Sequence, residues 1–127
     1  METLWDSWQR DIQRVETLKI PRCIMPTRFD VRYTELHIFS DASEVGYGSV
    51  VYLRCIRSSG MVCCNFLIGK SRVAPMKPVT IPRLELQAAV LSVRLKSLVL
   101  RELFLKIDST YLWTDFMIVL HYINNRK

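Results

Sequence analysis

The sequence predicts an α/β fold built on a mixed sheet: a three-strand antiparallel meander, a crossover helix, a parallel fourth strand and a last helix. Three apolar runs follow one another with only short turns between them, as in a meander. A long helix with one apolar face separates them from a fourth run. Because a strand that follows a crossover helix usually pairs in parallel with an earlier strand, the fourth run completes a mixed sheet on which helices pack.

An amphipathic helix is predicted first, over residues 4–18. Its apolar residues recur at helical spacing with polar residues between them: Trp5, Trp8, Ile12 and Val15. Pro21 disfavours further helix. The two tryptophans create a large apolar face, which either packs on this domain or docks on a neighbouring one. Residues 23–33 are interpreted as a connector.

The meander is predicted from three runs rich in β-branched and aromatic residues, at 35–41, 46–53 and 61–68. Turn-forming residues close the first run, and Ser58-Ser59-Gly60 separates the second from the third. Residues 70–82 contain three prolines, so a loop is predicted there.

The clearest helix is predicted over residues 84–98. Its apolar residues recur at steps of four and three, which places them on one face: Leu84, Ala88, Leu91, Leu95 and Leu98. Thr80 is expected to cap this helix, and Pro82 suits its first turn, where no backbone donor is needed. Residues 111–114 are the predicted fourth strand, and a last helix is expected from Phe116 to about Asn124.

The composition limits the class of protein. A chain of 127 residues, 50% of them hydrophobic and 24% charged, is long enough for one core and unlike a disordered chain. Its apolar runs fall short of the ~18–20 residues that span a bilayer, and no secretion signal is recognised. We therefore expect an intracellular protein, cytoplasmic or nuclear, without a membrane partner. The net charge of +6 is compatible with a polyanionic partner such as nucleic acid.

The cysteines and histidines give no metal-binding pattern. The four cysteines contain no C-x-x-C pair, and two of them are adjacent, so that strand geometry would point them to opposite faces. Neither a disulfide framework nor a zinc cluster is expected. His37 and His121 have no second ligand at suitable spacing, so structural or surface roles are expected for both.

Three carboxylates lie at the ends of predicted elements. Asp41 ends the first strand, Asp115 ends the fourth, and Glu85 lies in the first turn of the long helix. If the first and fourth strands are neighbours, their carboxyl-terminal ends bring the two aspartates together, and the helix places Glu85 over the same edge. Clustered carboxylates repel one another unless a cation neutralises them, and Mg²⁺ or Mn²⁺ prefers oxygen ligands. Taken singly, each acid is also compatible with a capping or solvated role.

The local sequences around these acids resemble a known family. Leu-His-Ile-Phe-Ser-Asp-Ala-Ser at residues 36–43, followed by Gly46-Tyr47-Gly48, resembles the first-strand signature of the ribonuclease H fold. Three further segments are similar to the ribonuclease H region of Bel/Pao-type LTR retrotransposon polyproteins: Lys70-Ser71-Arg72-Val73-Ala74-Pro75, Ile81-Pro82-Arg83-Leu84-Glu85-Leu86 and Trp113-Thr114-Asp115. The tryptophan-containing helix and Ile20-Pro21-Arg22 resemble the segment that joins reverse transcriptase to ribonuclease H in that family.

The resemblance implies a domain that hydrolyses the RNA strand of an RNA–DNA hybrid with two divalent cations, Mg²⁺ or Mn²⁺. In that family pattern Asp41 would contact both metals, Glu85 would bind one and orient the attacking water, and Asp115 would bind the other. Substrate contacts are expected from a small polar residue and four basic ones, although the basic ones are also compatible with solvated loop charges: Ser43, Lys70, Arg72, Lys77 and Arg83.

The resemblance also implies two parts, a connecting helix at residues 1–22 from an upstream reverse-transcriptase-like region and a ribonuclease H-like domain at residues 34–127. Members of the family supply a fourth acid from a helix near the carboxyl terminus, and no position here matches it. We therefore expect a partial, C-terminally truncated domain with an incomplete two-metal site. The family motif continues Trp-Thr-Asp-Ser, whereas Phe116 follows Asp115 here, and we expect it either to crowd the site or to remove a hydrogen bond that orients Asp115.

Two alternative functions stay open. The chain is also compatible with a catalytically inactive, nucleic-acid-binding relic of a retrotransposon polyprotein. An aspartic peptidase is the second alternative, since polyproteins of this family carry one. Peptidase chemistry needs two aspartates, each followed by Ser/Thr-Gly, and neither Asp41-Ala42-Ser43 nor Asp108-Ser109-Thr110 supplies the glycine.

Overall fold

The computed structural model describes residues 2–19 and 31–125. Within these ranges the chain forms helices and strands in the order α1, β1, β2, β3, α2, β4 and α3. Their bounds are Leu4–Val15 for α1, Val31–Ala42 for β1, Gly46–Arg57 for β2, Val62–Val73 for β3, Ile81–Glu102 for α2, Ser109–Trp113 for β4 and Met117–Asn124 for α3.

A four-stranded sheet organises the described part of the chain, with the strand order β3-β2-β1-β4. Antiparallel pairing joins β1 to β2 and β2 to β3, and β4 pairs with β1 in parallel. Gly60 allows the tight turn between β2 and β3, because its φ of 87° lies in the left-handed region that favours glycine. The predicted fold class, a meander followed by a crossover helix and a parallel strand, is confirmed.

The core lies between α2 and one face of the sheet. Leu36 and Ile38 of β1 lie opposite Leu53 and Val51 of β2, and all four are fully buried. The apolar stripe of α2 covers them with Leu84, Ala88, Leu91, Leu95 and Val99. Ser49 of β2 and Ser92 of α2 satisfy each other's hydroxyl groups at 2.7 Å inside this core.

The apolar stripe of α2 includes the predicted Leu98 and one further residue, Val99. Leu98 packs against the core and is half buried, and Val99 beside it is buried. Thr80 is the N-cap residue of α2 as expected, but its hydroxyl makes no capping hydrogen bond. Its backbone oxygen accepts instead from the N–H groups of Arg83 at 3.0 Å and Leu84 at 3.1 Å.

Strand β3 is longer than predicted, and this changes the position of two basic residues. Lys70 and Arg72 were predicted in a loop, but they pair with Ser49 and Tyr47 of β2. The ladder continues to Val73 because the first proline comes only at residue 75, and proline cannot donate to a ladder. The loop is therefore confined to residues 74–80.

Strand β1 begins at Val31 rather than at residue 35 and includes the end of the predicted connector. The rest of that connector, with Cys23 and the Ile20-Pro21-Arg22 motif, lies outside the described residues. Cys63 is half buried and Cys64 is exposed, as expected for adjacent strand residues. No described helix is both long and apolar enough to cross a membrane.

Helix α1 ends at Val15, three residues before the predicted end. Thr3 and Asp6 form a capping box, in which the Asp6 N–H donates to the Thr3 hydroxyl and the Thr3 N–H donates to the Asp6 carboxylate, each at 3.2 Å. No residue of α1 is buried. Trp5 and Trp8 stack with ring centroids 5.2 Å apart and are 62% and 54% exposed, so the apolar face of α1 is open.

Candidate metal centre and nucleic-acid cleft

The parallel pairing of β1 and β4 brings Asp41 and Asp115 to the same end of the sheet. The register joins Phe39 to Trp113, and each aspartate follows two residues later, Asp41 within β1 and Asp115 just beyond the end of β4. Because neighbouring parallel strands keep a constant offset, the two carboxylates lie at the same level. Both residues are exposed to solvent.

Glu85 reaches the same end of the sheet from α2. It lies three residues before Ala88 and seven before Ser92, so it belongs to the helix face that packs on the sheet. This position buries Glu85, which is 4% exposed. The fold therefore places the buried Glu85 carboxylate beside the two exposed aspartates.

The three carboxylates form a compact cluster. One oxygen from each of Asp41, Glu85 and Asp115 lies within 4.8 Å of the others. The Glu85 Oε2 atom is buried and has no hydrogen-bond partner among the described residues. An unpaired buried oxygen of this kind is costly, and a hard cation such as Mg²⁺ or Mn²⁺ is a suitable partner for it. The donor set therefore fits a divalent cation.

The surroundings of Glu85 destabilise its ionised form. Burial raises its pKa, and the neighbouring Asp41 and Asp115 carboxylates raise that pKa further. A hydrogen bond from the Ala42 backbone N–H opposes the rise, and the same N–H donates to Asp41 Oδ1 at 2.9 Å. A proton on Glu85 and a bound cation therefore compete for the same oxygens.

A cleft of about 710 Å³ adjoins Asp41. The ends of β1, β2 and β3 line it, and it includes Ser43, Lys70 and Arg72. Gly46 lets β2 and β3 approach closely here, because a Cβ at this position would lie 2.7 Å from the Arg72 carbonyl oxygen. Three of the predicted substrate-binding residues thus lie in one cleft with a predicted metal ligand.

The other two predicted substrate-binding residues lie elsewhere. Lys77 is exposed in the loop between β3 and α2, and Arg83 is exposed on the first turn of α2. Neither lines the cleft beside Asp41. Their contact with a substrate stays a prediction.

Asp108 lies at the opposite end of β4 from Asp115. Its N–H donates to the Thr34 carbonyl at 2.9 Å, and its Oδ2 accepts from the Thr34 N–H at 2.8 Å. Thr34 precedes Asp41 by seven residues on β1, which corresponds to about 23 Å at the rise of a strand. Asp41 and Asp108 therefore cannot share a proton in the manner of an aspartic peptidase.

Comparison with known families agrees with this geometry. A family model described as the Pao retrotransposon-like RNaseH-like domain matches residues 1–116. The chain belongs to this family. The match includes the whole sheet and all three clustered acids, so the resemblance indicated by the sequence motifs is confirmed. No curated protein and no solved structure gives a significant match.

Phe116 stands at the junction between β4 and α3 of this RNaseH-like domain. It is the N-cap residue of α3, and no side-chain hydrogen bond caps the helix. Its backbone N–H donates to the Thr114 hydroxyl at 3.3 Å, and its side chain is half buried. That Phe116 crowds the acidic cluster stays a prediction.

The RNaseH-like domain also contains a polar cluster that the sequence did not reveal. Glu35 Oε2 accepts hydrogen bonds from His37 Nε2 and from Arg54 Nη1, both at 2.8 Å. Trp113 Nε1 donates to His37 Nδ1 at 3.0 Å. Strand alternation alone places Glu35 and His37 on one face, but only the sheet register shows that Arg54 and Trp113 lie beside them.

Proposed function

We propose that this RNaseH-like domain hydrolyses the RNA strand of an RNA–DNA hybrid with divalent cations, Mg²⁺ or Mn²⁺, at a two-metal site whose fourth family acid has no match in this sequence. The observation that carries the proposal is the cluster of Asp41, Glu85 and Asp115, with oxygens within 4.8 Å of one another and a buried Glu85 oxygen that lacks a partner. Membership of the RNaseH-like family supports nucleic acid as the substrate class.

The residues of the cluster have separable roles in this proposal. Asp41, Glu85 and Asp115 would hold the cations, which when bound polarise the phosphate and lower the pKa of an attacking water. Asp41 and Asp115 are exposed and therefore accessible to a phosphodiester. Glu85 is buried, so α2 fixes its carboxylate against the sheet and limits its freedom to turn away.

The cleft beside Asp41 is the proposed path of the substrate backbone. Lys70 and Arg72 give it positive charge, and Ser43 adds a hydroxyl at the turn after β1. The Ser43 N–H donates to the Gly46 carbonyl at 2.7 Å, which holds this turn closed. Basic side chains that contact phosphates release counterions, so the affinity for a hybrid should depend strongly on salt.

We expect Arg72→Ala to weaken the binding of hybrids whatever their base sequence, since one phosphate contact is lost. The slope of log affinity against log salt concentration should decrease in magnitude by about 1. Fluorescence anisotropy with a labelled hybrid at several salt concentrations measures the slope. Lys106→Ala is the matched control, because Lys106 is exposed near Asp108 at the other end of β4. Equal slopes for wild type and Arg72→Ala would remove Arg72 from the binding site.

Helix α1 is proposed to contact an upstream reverse-transcriptase-like region. None of its residues is buried, and both tryptophans are largely exposed. An exposed amphipathic helix with two tryptophans suits a protein partner, because tryptophan is enriched at the centres of interfaces.

The deciding experiment is a cleavage assay on a hybrid labelled in its RNA strand. We expect cleavage with Mg²⁺ or Mn²⁺, none with chelator, and none with Asp41→Asn. Asp11→Asn is the control, because it makes the same substitution at an exposed residue of α1 far along the chain from the cluster. Salt-dependent binding of the hybrid without any cation-dependent cleavage would contradict the proposal and favour the inactive, nucleic-acid-binding alternative.

A further inference from the structure

His37 forms a hydrogen-bonded link between β1 and β4. Its Nδ1 accepts from Trp113 Nε1 at 3.0 Å, and its Nε2 bonds to Glu35 Oε2 at 2.8 Å. The imidazole plane also lies within 18° of the Tyr111 and Trp113 ring planes, with centroids 5.0 and 6.0 Å away. The side chain is only 18% exposed, so these contacts occupy most of its surface.

The partners of His37 determine where its proton lies. An indole N–H only donates, so Nδ1 must be the unprotonated nitrogen that accepts from Trp113. Nε2 then carries the proton and donates it to Glu35. A second proton on the imidazole would occupy Nδ1, and the hydrogen bond from Trp113 would be lost.

Trp113 is the last residue of β4 that pairs with β1, and Asp115 follows it by two residues. On the buried face, the Ser40 hydroxyl reaches the Trp113 carbonyl at 3.4 Å, which is a long hydrogen bond. Strand β4 has five residues and lies at the end of the order β3-β2-β1-β4. The imidazole–indole bond therefore restrains Trp113 together with the Ser40 hydroxyl, two residues before Asp115.

We infer that His37 is a positioning residue for the metal centre: neutral His37 holds Trp113, and through it Asp115, in the arrangement that binds a divalent cation. Protonation of His37 releases this restraint. The inference rests on the proposed cation site, but its structural part, the link from His37 to Asp115, concerns the fold alone.

Ionisable groups face His37 from its own strand and from both neighbouring strands. Glu35 faces it from β1, Arg54 and Tyr52 from β2, and Tyr111 from β4. The hydrogen bond from His37 lowers the pKa of Glu35, and the Arg54 hydrogen bond and charge lower it further against the opposing effect of burial. Glu35 therefore stays ionised between pH 5 and 8, the range in which a histidine side chain ordinarily takes up its second proton.

The test compares wild type with His37→Gln and His37→Leu. A glutamine amide both donates and accepts, so it keeps the two hydrogen bonds without titrating, whereas leucine makes neither. ¹⁵N NMR spectra at pH 8 and pH 5.5 report the Trp113 indole N–H and the Asp115 amide, with Trp5→Phe and Trp8→Phe used for assignment. Calorimetric titration with MgCl₂ gives the cation affinity at both pH values.

In wild type we expect both NMR signals to move between pH 8 and 5.5, and neither to move in this way in His37→Gln. The Mg²⁺ affinity of wild type should fall about fivefold more than that of His37→Gln, the effect of one lost hydrogen bond. Protonation of Glu85 lowers affinity in both proteins and therefore cancels. His37→Leu should bind Mg²⁺ about fivefold more weakly than wild type already at pH 8.

Two results would overturn the inference. One is a pH dependence of Mg²⁺ affinity in His37→Gln that equals that of wild type. The other is an Asp115 amide signal that does not move between pH 8 and 5.5 in wild type. If wild type binds no cation at all, the proposed function fails, and the Asp115 signal alone decides whether His37 positions that residue.

Discussion

Glu85→Gln should weaken divalent-cation binding by more than about 100-fold and, in metal-free buffer at pH 7, make the domain more stable. The loss of affinity should exceed the 10–100-fold typical of residues that only support a metal ligand, because an ionised ligand itself is removed. The gain in stability follows from the raised pKa of Glu85, which burial causes first and the Asp41 and Asp115 charges reinforce. Each like charge at such a distance costs about 1 kcal/mol even at the dielectric constant of water.

The pH dependence of stability gives this prediction a definite sign. A carboxyl whose pKa is higher in the folded than in the unfolded state keeps its proton more readily when folded. The free energy of unfolding of the metal-free wild type should therefore fall as pH rises from the unfolded pKa of Glu85 through its folded pKa, and stay low above it. In Glu85→Gln this contribution is absent, so the two curves should converge at acidic pH and separate towards neutral pH.

Urea denaturation with chelator and with MgCl₂, from pH 4 to pH 8, measures both effects. Saturating Mg²⁺ should stabilise wild type, by about 2.7 kcal/mol at 100 times the dissociation constant, and should leave Glu85→Gln nearly unchanged. Glu102→Gln is the matched control, since Glu102 lies on the last turn of the same helix and pairs with Arg101 in solvent. A less stable Glu85→Gln at pH 7, or one that Mg²⁺ stabilises as strongly as wild type, would contradict the assignment.

The element order and the acidic cluster follow from sequence because local patterns encode them. The stripe of α2 has a period that only a helix satisfies, and the runs of β1 to β3 are separated by recognisable turns. The cluster needs one further step, the parallel placement of β4, which the handedness and adjacency of crossover connections supply. Once β4 lies parallel to β1, Asp41 and Asp115 come together, and α2 places Glu85 beside them.

Other features depend on information that a single sequence does not carry. The end of β3 was misplaced because loop-like residues such as Lys70 and Arg72 join the ladder once β2 offers partners, and pairing overrides local composition. The bond between His37 and Trp113 spans 76 residues of sequence, and no periodicity connects them. Family motifs identified Trp113-Thr114-Asp115 as a segment of the site, but not the contact that holds its tryptophan.

Ile38→Ala should destabilise the domain by about 2–5 kcal/mol, the range for removing a large aliphatic side chain from a closed core. Ile38 is fully buried in the cluster that includes Leu95 and Val99, and it lies between Val51 on β2 and Leu112 on β4. Its loss leaves a cavity where α2 packs on β1, the strand that carries Asp41. A domain of this size has a free energy of unfolding of roughly 5–15 kcal/mol, so this single substitution removes a large fraction of it.

Leu112→Ala is the matched control for Ile38→Ala, because Leu112 is the cross-strand neighbour of Ile38 and loses a similar volume. Leu112 is 48% exposed, so less apolar surface returns to water and solvent fills the space that the side chain leaves. We expect urea denaturation to show less than half the destabilisation of Ile38→Ala. Saturating Mg²⁺ should recover part of the loss in Ile38→Ala, since a cation that binds only the folded state draws the equilibrium towards it. Equal losses in the two variants would show that the core does not lie where α2 covers β1.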